Sequence, residues 1–212
     1  MPTPTTILQL NRLRFAYPDQ PPLATDWSAS IAAGVTLLHG DTGSGKSTLL
    51  RVLAGKQPGL GRLTLAGVHL DEAPAAYQRA VFWCDPTTDA FEQVTARDCT
   101  ASLRAGDDRF DDAGWQSLVE GFALTPHIDK PMYMLSTGSK RKVWLASALA
   151  SGRALTLLDE PTGGLDAPSI NCLMRALAGL AGQHERAIVI ASAERLDRVA
   201  PAGVIELPLQ GA

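Results

Sequence analysis

With 212 residues, 45% hydrophobic and 19% charged, the chain has ordinary globular composition and enough length for one packed domain; it is not disordered, collagen-like or coiled-coil. A formal net charge of -3, spread without a block of like sign, offers neither a nucleic-acid surface nor a polybasic membrane patch. Cys84, Cys99 and Cys172 are odd in number, far apart and without metal-spaced partners, so they form neither a disulfide framework nor a zinc site, and a reduced cytosolic setting is expected.

Met1 to Gln9 lacks the basic-then-apolar pattern of a secretory signal, and Arg153 and Asp159 interrupt the most apolar region before it reaches the ~18 residues of a membrane span. Strands are expected at Ile7 to Phe15, Trp27 to Ile31 and Val35 to His39, with Pro18, Pro21 and Pro22 between the first two. A short helix from Ser47 to Ala54 ends at Gly55 and Pro58, and further strands follow at Leu63 to Leu65 and Ala80 to Trp83, the second stopped by Pro86. Two helical patterns, Ala96 to Ala105 and Ala113 to Ala123, flank the acidic Asp107, Asp108, Asp111 and Asp112. A helix at Lys140 to Ala150, a buried strand at Ala154 to Leu158, a helix at Pro168 to Leu180 and a strand at Ala187 to Ala191 complete the chain. This alternation predicts an α/β fold, a P-loop core with a mostly parallel sheet (1–90 and 145–212), plus an inserted helical sub-domain at about 91–144.

Gly40-Asp41-Thr42-Gly43-Ser44-Gly45-Lys46-Ser47-Thr48 matches the phosphate-loop pattern G-x-x-x-x-G-K-[ST], placed between a strand and a helix as that motif requires. Its glycines let backbone N–H groups turn inward on phosphate oxygens, Lys46 reaches the terminal phosphates, and the Ser47 hydroxyl ligates Mg²⁺. Leu155 to Leu158 runs into Asp159 and Glu160, and carboxylates at the end of a doubly buried strand suit a cation and a reacting water: Asp159 for Mg²⁺, Glu160 to orient or deprotonate the water.

Leu135-Ser136-Thr137-Gly138-Ser139, just before a helix, resembles the LSGGQ signature of the ATP-binding cassette family, and the phosphate loop, Leu155 to Pro161 and Gly164-Leu165-Asp166 follow that family's order over nearly the whole chain. The resemblance implies ATP and Mg²⁺ as cofactors. It also implies a head-to-tail dimer, with itself or another cassette, in which Ser136 and the backbone near Gly138 meet the γ-phosphate held by the opposite subunit. It implies too a transmembrane permease as partner, no nucleic acid, and a peripheral position on the cytoplasmic face of the cell membrane. Tyr17, in Phe15-Ala16-Tyr17-Pro18, lies where the family stacks an aromatic on adenine. Asp166 is read as part of the loop that touches the opposing subunit, as the N-cap of the next helix, or as both.

The chain departs from this pattern in three places. Cys84 lies where the family has a Gln, with Asp85 beside it; Ala193 lies where the family has a His, with Ser192 beside it and His184 too early to serve; and Ser139 replaces the final Gln of the signature. The expectation is an ATP-hydrolysing subunit of a membrane transporter with slow turnover, against a regulatory cassette that binds ATP with little turnover. Small size and short loops are similar to the haem-exporter ATPases of cytochrome c maturation, although no residue assigns a cargo.

Overall fold

The computed structural model describes residues 5–16, 22–85, 88–195 and 198–209. Strand β1 (Thr6–Ala16) alternates buried Leu8, Leu10, Leu13 and Phe15 with exposed neighbours from Leu8 onward, and the alternation slips at Arg12, where a φ of 52° and an N–H bond to Ser28 Oγ mark a bulge. Strand β2 (Pro22–Ala32) returns antiparallel, and β3 (Gly34–His39) then leads through the glycine-rich loop into α1 (Lys46–Leu53). Next come β4 (Leu60–Leu65), β5 (Val68–His69), α2 (Pro74–Arg79) and β6 (Val81–Phe82). The following stretch is helical: α3 (Ala96–Leu103), α4 (Asp112–Gly121), 3₁₀ turns at Thr125–His127 and Met132–Met134, and α5 (Thr137–Ala150). Strand β7 (Leu155–Asp159), α6 (Ala167–Leu180), β8 (Ala187–Ser192) and β9 (Gly203–Glu206) finish the fold.

The predicted parallel sheet is present, in the order β6-β7-β8-β3-β9. The first two strands do not join it. They form a separate antiparallel sheet, β2-β1-β4-β5, with Leu8 opposite Ile31 on one side and Leu65 on the other. Too few residues connect β1 to β2 for the crossover that parallel neighbours need, so a hairpin is the accessible pairing. Helix α2 and strand β9 went unpredicted because six and four residues are too few to show a period. Helix α5 begins at Thr137, three residues ahead of the expected Lys140, because Ser136 caps it.

Both faces of the parallel sheet are buried, and side chains alternate between two cores. Leu155, Leu157, Ala187, Val189 and Ala191 pack with α1 and the antiparallel sheet, whereas Val35, Leu158, Ile188 and Ile190 pack beneath α3 to α6. Loop and helix ends are closed by side chains. The Tyr77 hydroxyl donates to Leu53 O at the end of α1 (2.9 Å), and Arg153 donates to Leu103 O and Ala105 O at the end of α3 (both 3.0 Å).

Arg186, 6% exposed, closes the end of α5: its guanidinium donates to Ala148 O (2.5 Å), Leu149 O (3.0 Å) and Thr156 Oγ1 (2.8 Å). Burial lowers its pKa to about 10, so it stays cationic at neutral pH, where the carbonyl end of the helix favours it. Arg186→Met keeps the apolar stem and removes the guanidinium from three buried acceptors, of which Ala148 O keeps only the Ser151 N–H at 3.4 Å. The expected cost is about 3 kcal/mol in urea denaturation, and a loss below about 1 kcal/mol would contradict this role.

Candidate functional site

Parallel register brings the site together. Gly34 to His39 pair residue for residue with Ala187 to Ser192, and Leu155 to Asp159 with Ala187 to Ala191, so three strands end at the same level. Everything just past those ends meets above the carboxyl edge of the sheet: the loop after His39, Glu160 after β7, and Ala193 and Glu194 after β8. This is where open α/β sheets place ligands. His184, ahead of β8, falls at the opposite edge.

Thr42, Gly43, Gly45, Lys46, Ser47, Glu160, Thr162, Gly163, Ile170, Ala193 and Glu194 line a cleft of about 600 Å³. The loop must turn tightly to present α1 end-on to this cleft. Gly45, at the helix N-cap, does so with a φ of 99°, a conformation a side chain would resist. Gly40, Asp41, Ser44 and Thr48 complete the loop around it, with Ser44 N donating to Asp41 O at 3.1 Å.

The Lys46 ammonium is nearly buried and fully engaged: it donates to Gly40 O (2.7 Å) and Asp41 O (3.1 Å), and lies 3.3 Å from Glu160 Oε1. Glu160 reaches it because the chain reverses immediately after β7. Its φ of 41° is left-handed, which costs a residue with a side chain ~1–2 kcal/mol. Glu160 N donates to Ala191 O (2.9 Å), and Glu160 Oε1 accepts the backbone N–H of Ala193 (3.1 Å). Two predicted catalytic residues, Lys46 and Glu160, therefore face one another across the cleft.

The residues present fit a magnesium nucleotide. Asp159 Oδ1 and the Ser44 and Thr48 hydroxyls are buried without hydrogen-bond partners, a costly arrangement that a cation and phosphate oxygens would relieve. Among the described residues no three carboxylate, His or Cys side chains converge as a metal cage. Asp159 and Ser47 alone suit Mg²⁺, which keeps its waters and shares phosphate oxygens.

Ser136 is the N-cap of α5, its Oγ accepting Ser139 N at 3.1 Å, and Gly138 lies in the first turn. Neither lines the cleft of this chain; both lie at the helix end exposed beside it. Cys84 follows β6 and shares a cavity of about 40 Å³ with Asp159 and Arg141, and burial pushes its thiol up to about 12. Ser192 is buried in β8 with its hydroxyl held by Glu194 N (3.0 Å), so it does not project into the cleft. Tyr17 lies outside the described residues. Thr162, Ile170 and Glu194 were not predicted as lining residues, and no local pattern marks them.

Asp166 caps α6 by accepting Ser169 N (2.8 Å) and pairs with Lys142 on α5 (2.8 Å). The Lys142 bond, with the Ser169 bonds, holds its carboxyl well below the usual 3.8. A lowered carboxyl stabilises the fold above its unfolded pKa and loses that contribution as pH falls through the folded one. Asp166→Asn should therefore lower the thermal midpoint at pH 7, and the gap should narrow progressively below pH 3.8. A gap independent of pH would contradict the ion pair.

Known proteins resemble this chain. The profile of the ABC transporter family matches residues 25–163. The cobalt import ATP-binding protein CbiO of Rhodobacter capsulatus is 32% identical over 188 residues, 83% of this chain and 66% of that protein. The cytochrome c biogenesis ATP-binding export protein CcmA of Rhodospirillum rubrum is 39% identical over 151 residues, 68% of this chain and 62% of that protein. The chain thus spans 62–66% of the length of these two relatives. A solved ATP-binding subunit of an ABC transporter shares the fold, with a TM-score of 0.76 at 22% identity over 88% of this chain and 79% of that one. On this match, over a phosphate loop and carboxylates already in place, the chain belongs to the ABC transporter family.

Proposed function

We propose that this chain binds ATP with Mg²⁺ and hydrolyses it as the energy-supplying subunit of a membrane transporter. One observation carries the reading: the Lys46 ammonium and the Glu160 carboxylate stand 3.3 Å apart beside the phosphate loop, in a cleft large enough for a nucleotide triphosphate. In this reading the backbone of Gly40 to Thr48 cradles the phosphates, Lys46 neutralises the β- and γ-phosphates, and Glu160 accepts a proton from the attacking water. Ser47 and Asp159 hold Mg²⁺, whose chemistry is to neutralise charge on the transferred phosphoryl group. Tyr17 stacks on adenine.

Ser136 and the N–H groups near Gly138 serve a second cassette, identical or different, because they sit at an exposed helix N-terminus that favours a terminal phosphate. The helical segment at about 91–144 is the sub-domain that docks on a permease. Among the described residues no helix is long and apolar enough to cross a membrane, so in this reading the chain works from the cytoplasmic face beside a membrane-spanning partner. Relatives named as a cobalt importer and a cytochrome c biogenesis exporter share the cassette, which assigns cargo and direction to that partner.

Turnover is slow in this reading. Ala193 contributes a backbone N–H to Glu160 and no imidazole to the cleft, and Cys84 offers Asp159 and its surroundings a protonated thiol in place of an amide. One missing transition-state contact costs on the order of a hundredfold in rate. Glu160→Gln should retain ATP binding and lower phosphate release at least about a hundredfold, while Lys46→Ala should weaken binding itself. Phosphate release by E160Q at the parent rate would sink the hydrolytic reading. ATP-driven dimerisation with no release by the parent would support a regulatory cassette instead.

A further inference from the structure

Arg141 projects from the second turn of α5 into the reverse turn that follows β7. Its Nη1 donates to Glu160 O and to Gly163 O, both at 2.7 Å, and Gly163 N donates to the same Glu160 carbonyl at 3.1 Å. The approach is close: a Cβ at Gly163 would stand 2.5 Å from Arg141 Nη1 and would displace the guanidinium from this contact. One residue further along α5, Lys142 holds Asp166 at the far end of the loop. Glu160 meanwhile keeps its left-handed φ of 41° and points its carboxylate at Lys46 and the Ala193 N–H. A residue stays in such a conformation only where its surroundings over-determine it, and here the half-buried guanidinium is what grips the backbone from outside the sheet.

We propose that Arg141 is a positioning residue for Glu160: by holding both carbonyls of the Glu160 to Gly163 turn it keeps the carboxylate on Lys46 and in the cleft. It touches neither Lys46 nor the Glu160 carboxylate, and acts through the main chain. Both bonds leave one nitrogen, Nη1, whose two N–H groups are fixed in the guanidinium plane, whereas an ammonium at the end of a flexible stem has to be ordered for the same task. The assignment rests on the reading of Glu160 as the group that handles the attacking water. It adds that the helix carrying Ser136 also sets the aim of the carboxylate in its own subunit.

Amide exchange of the purified full-length chain, followed residue by residue by NMR, tests this without any turnover. In Arg141→Ala, exchange at Gly163 and Ala193 should accelerate at least about tenfold, because their acceptors on Glu160 are released, while Ile190 inside β8 keeps its parent rate. Glu160→Ala calibrates the Ala193 amide with its acceptor removed. Arg141→Lys should fall between parent and R141A, and it carries the same comparison if R141A does not fold. In ATP turnover, R141A should lower kcat by about tenfold or more with KM changed less than about threefold, the pattern of a misaimed group rather than a lost binding contact. Parent-like exchange at Gly163 and Ala193 in the variants, acceleration at Ile190 to the same extent, or equal loss of kcat and ATP affinity would each overturn the proposal. A parent chain that releases no phosphate defeats the hydrolytic reading alone, and the exchange rates still decide the position of Glu160.

Discussion

A buried ammonium sets the terms for this structure. Lys46 is 6% exposed, and a charge withdrawn that far from water must be paired and hydrogen-bonded, or its desolvation outweighs what it contributes. Two carbonyls of its own loop and one carboxylate from the turn after β7 meet that need. The loop closes around Nζ only because Gly45 takes a backbone conformation that a side chain would oppose. Glu160 arrives only because the turn after β7 is held left-handed. The local strain at Glu160 is thus offset by one well-paired charge.

The same requirement explains the value of parallel register at this point. With β3, β7 and β8 ending at one level, a reversal of a single residue suffices to bring Glu160 and the Ala193 amide to the lysine. A slip of one residue between β7 and β8 would turn Asp159 to the other face of the sheet and carry the carboxylates away from the loop. The alternating cores prevent such a slip, because it would exchange Leu157 and Val189 for their neighbours on the opposite face.

Helix α5 connects this edge of the sheet to the other. Its first turns bear on the 160–166 loop through Arg141 and Lys142, and its last carbonyls are satisfied by Arg186 just ahead of β8. Both ends are therefore tied to the parallel sheet, while its length supports α3 and α4.

Much of this was legible in residue order. The phosphate loop, the acids after an apolar strand and the Ser136 cap each declare themselves within a few residues, because their chemistry is local: glycine permits a turn, a buried strand has no other use for carboxylates, and a serine ahead of a helix caps it. The parallel sheet also followed from alternating strand and helix. Other features were illegible for the same reason in reverse. The separation of β1 and β2 into their own sheet depends on partners far along the chain, such as Leu65 opposite Leu8, 57 positions apart. The contact of Lys46 with Glu160, 114 positions apart, was expected as a shared site but its direct ion pair was not, since it arises from the left-handed turn. Arg141 reads in sequence as one basic residue in a basic stretch. Only the fold gives it two carbonyls to hold, because hydrogen bonds to main chain carry no trace in the identity of the residues that accept them.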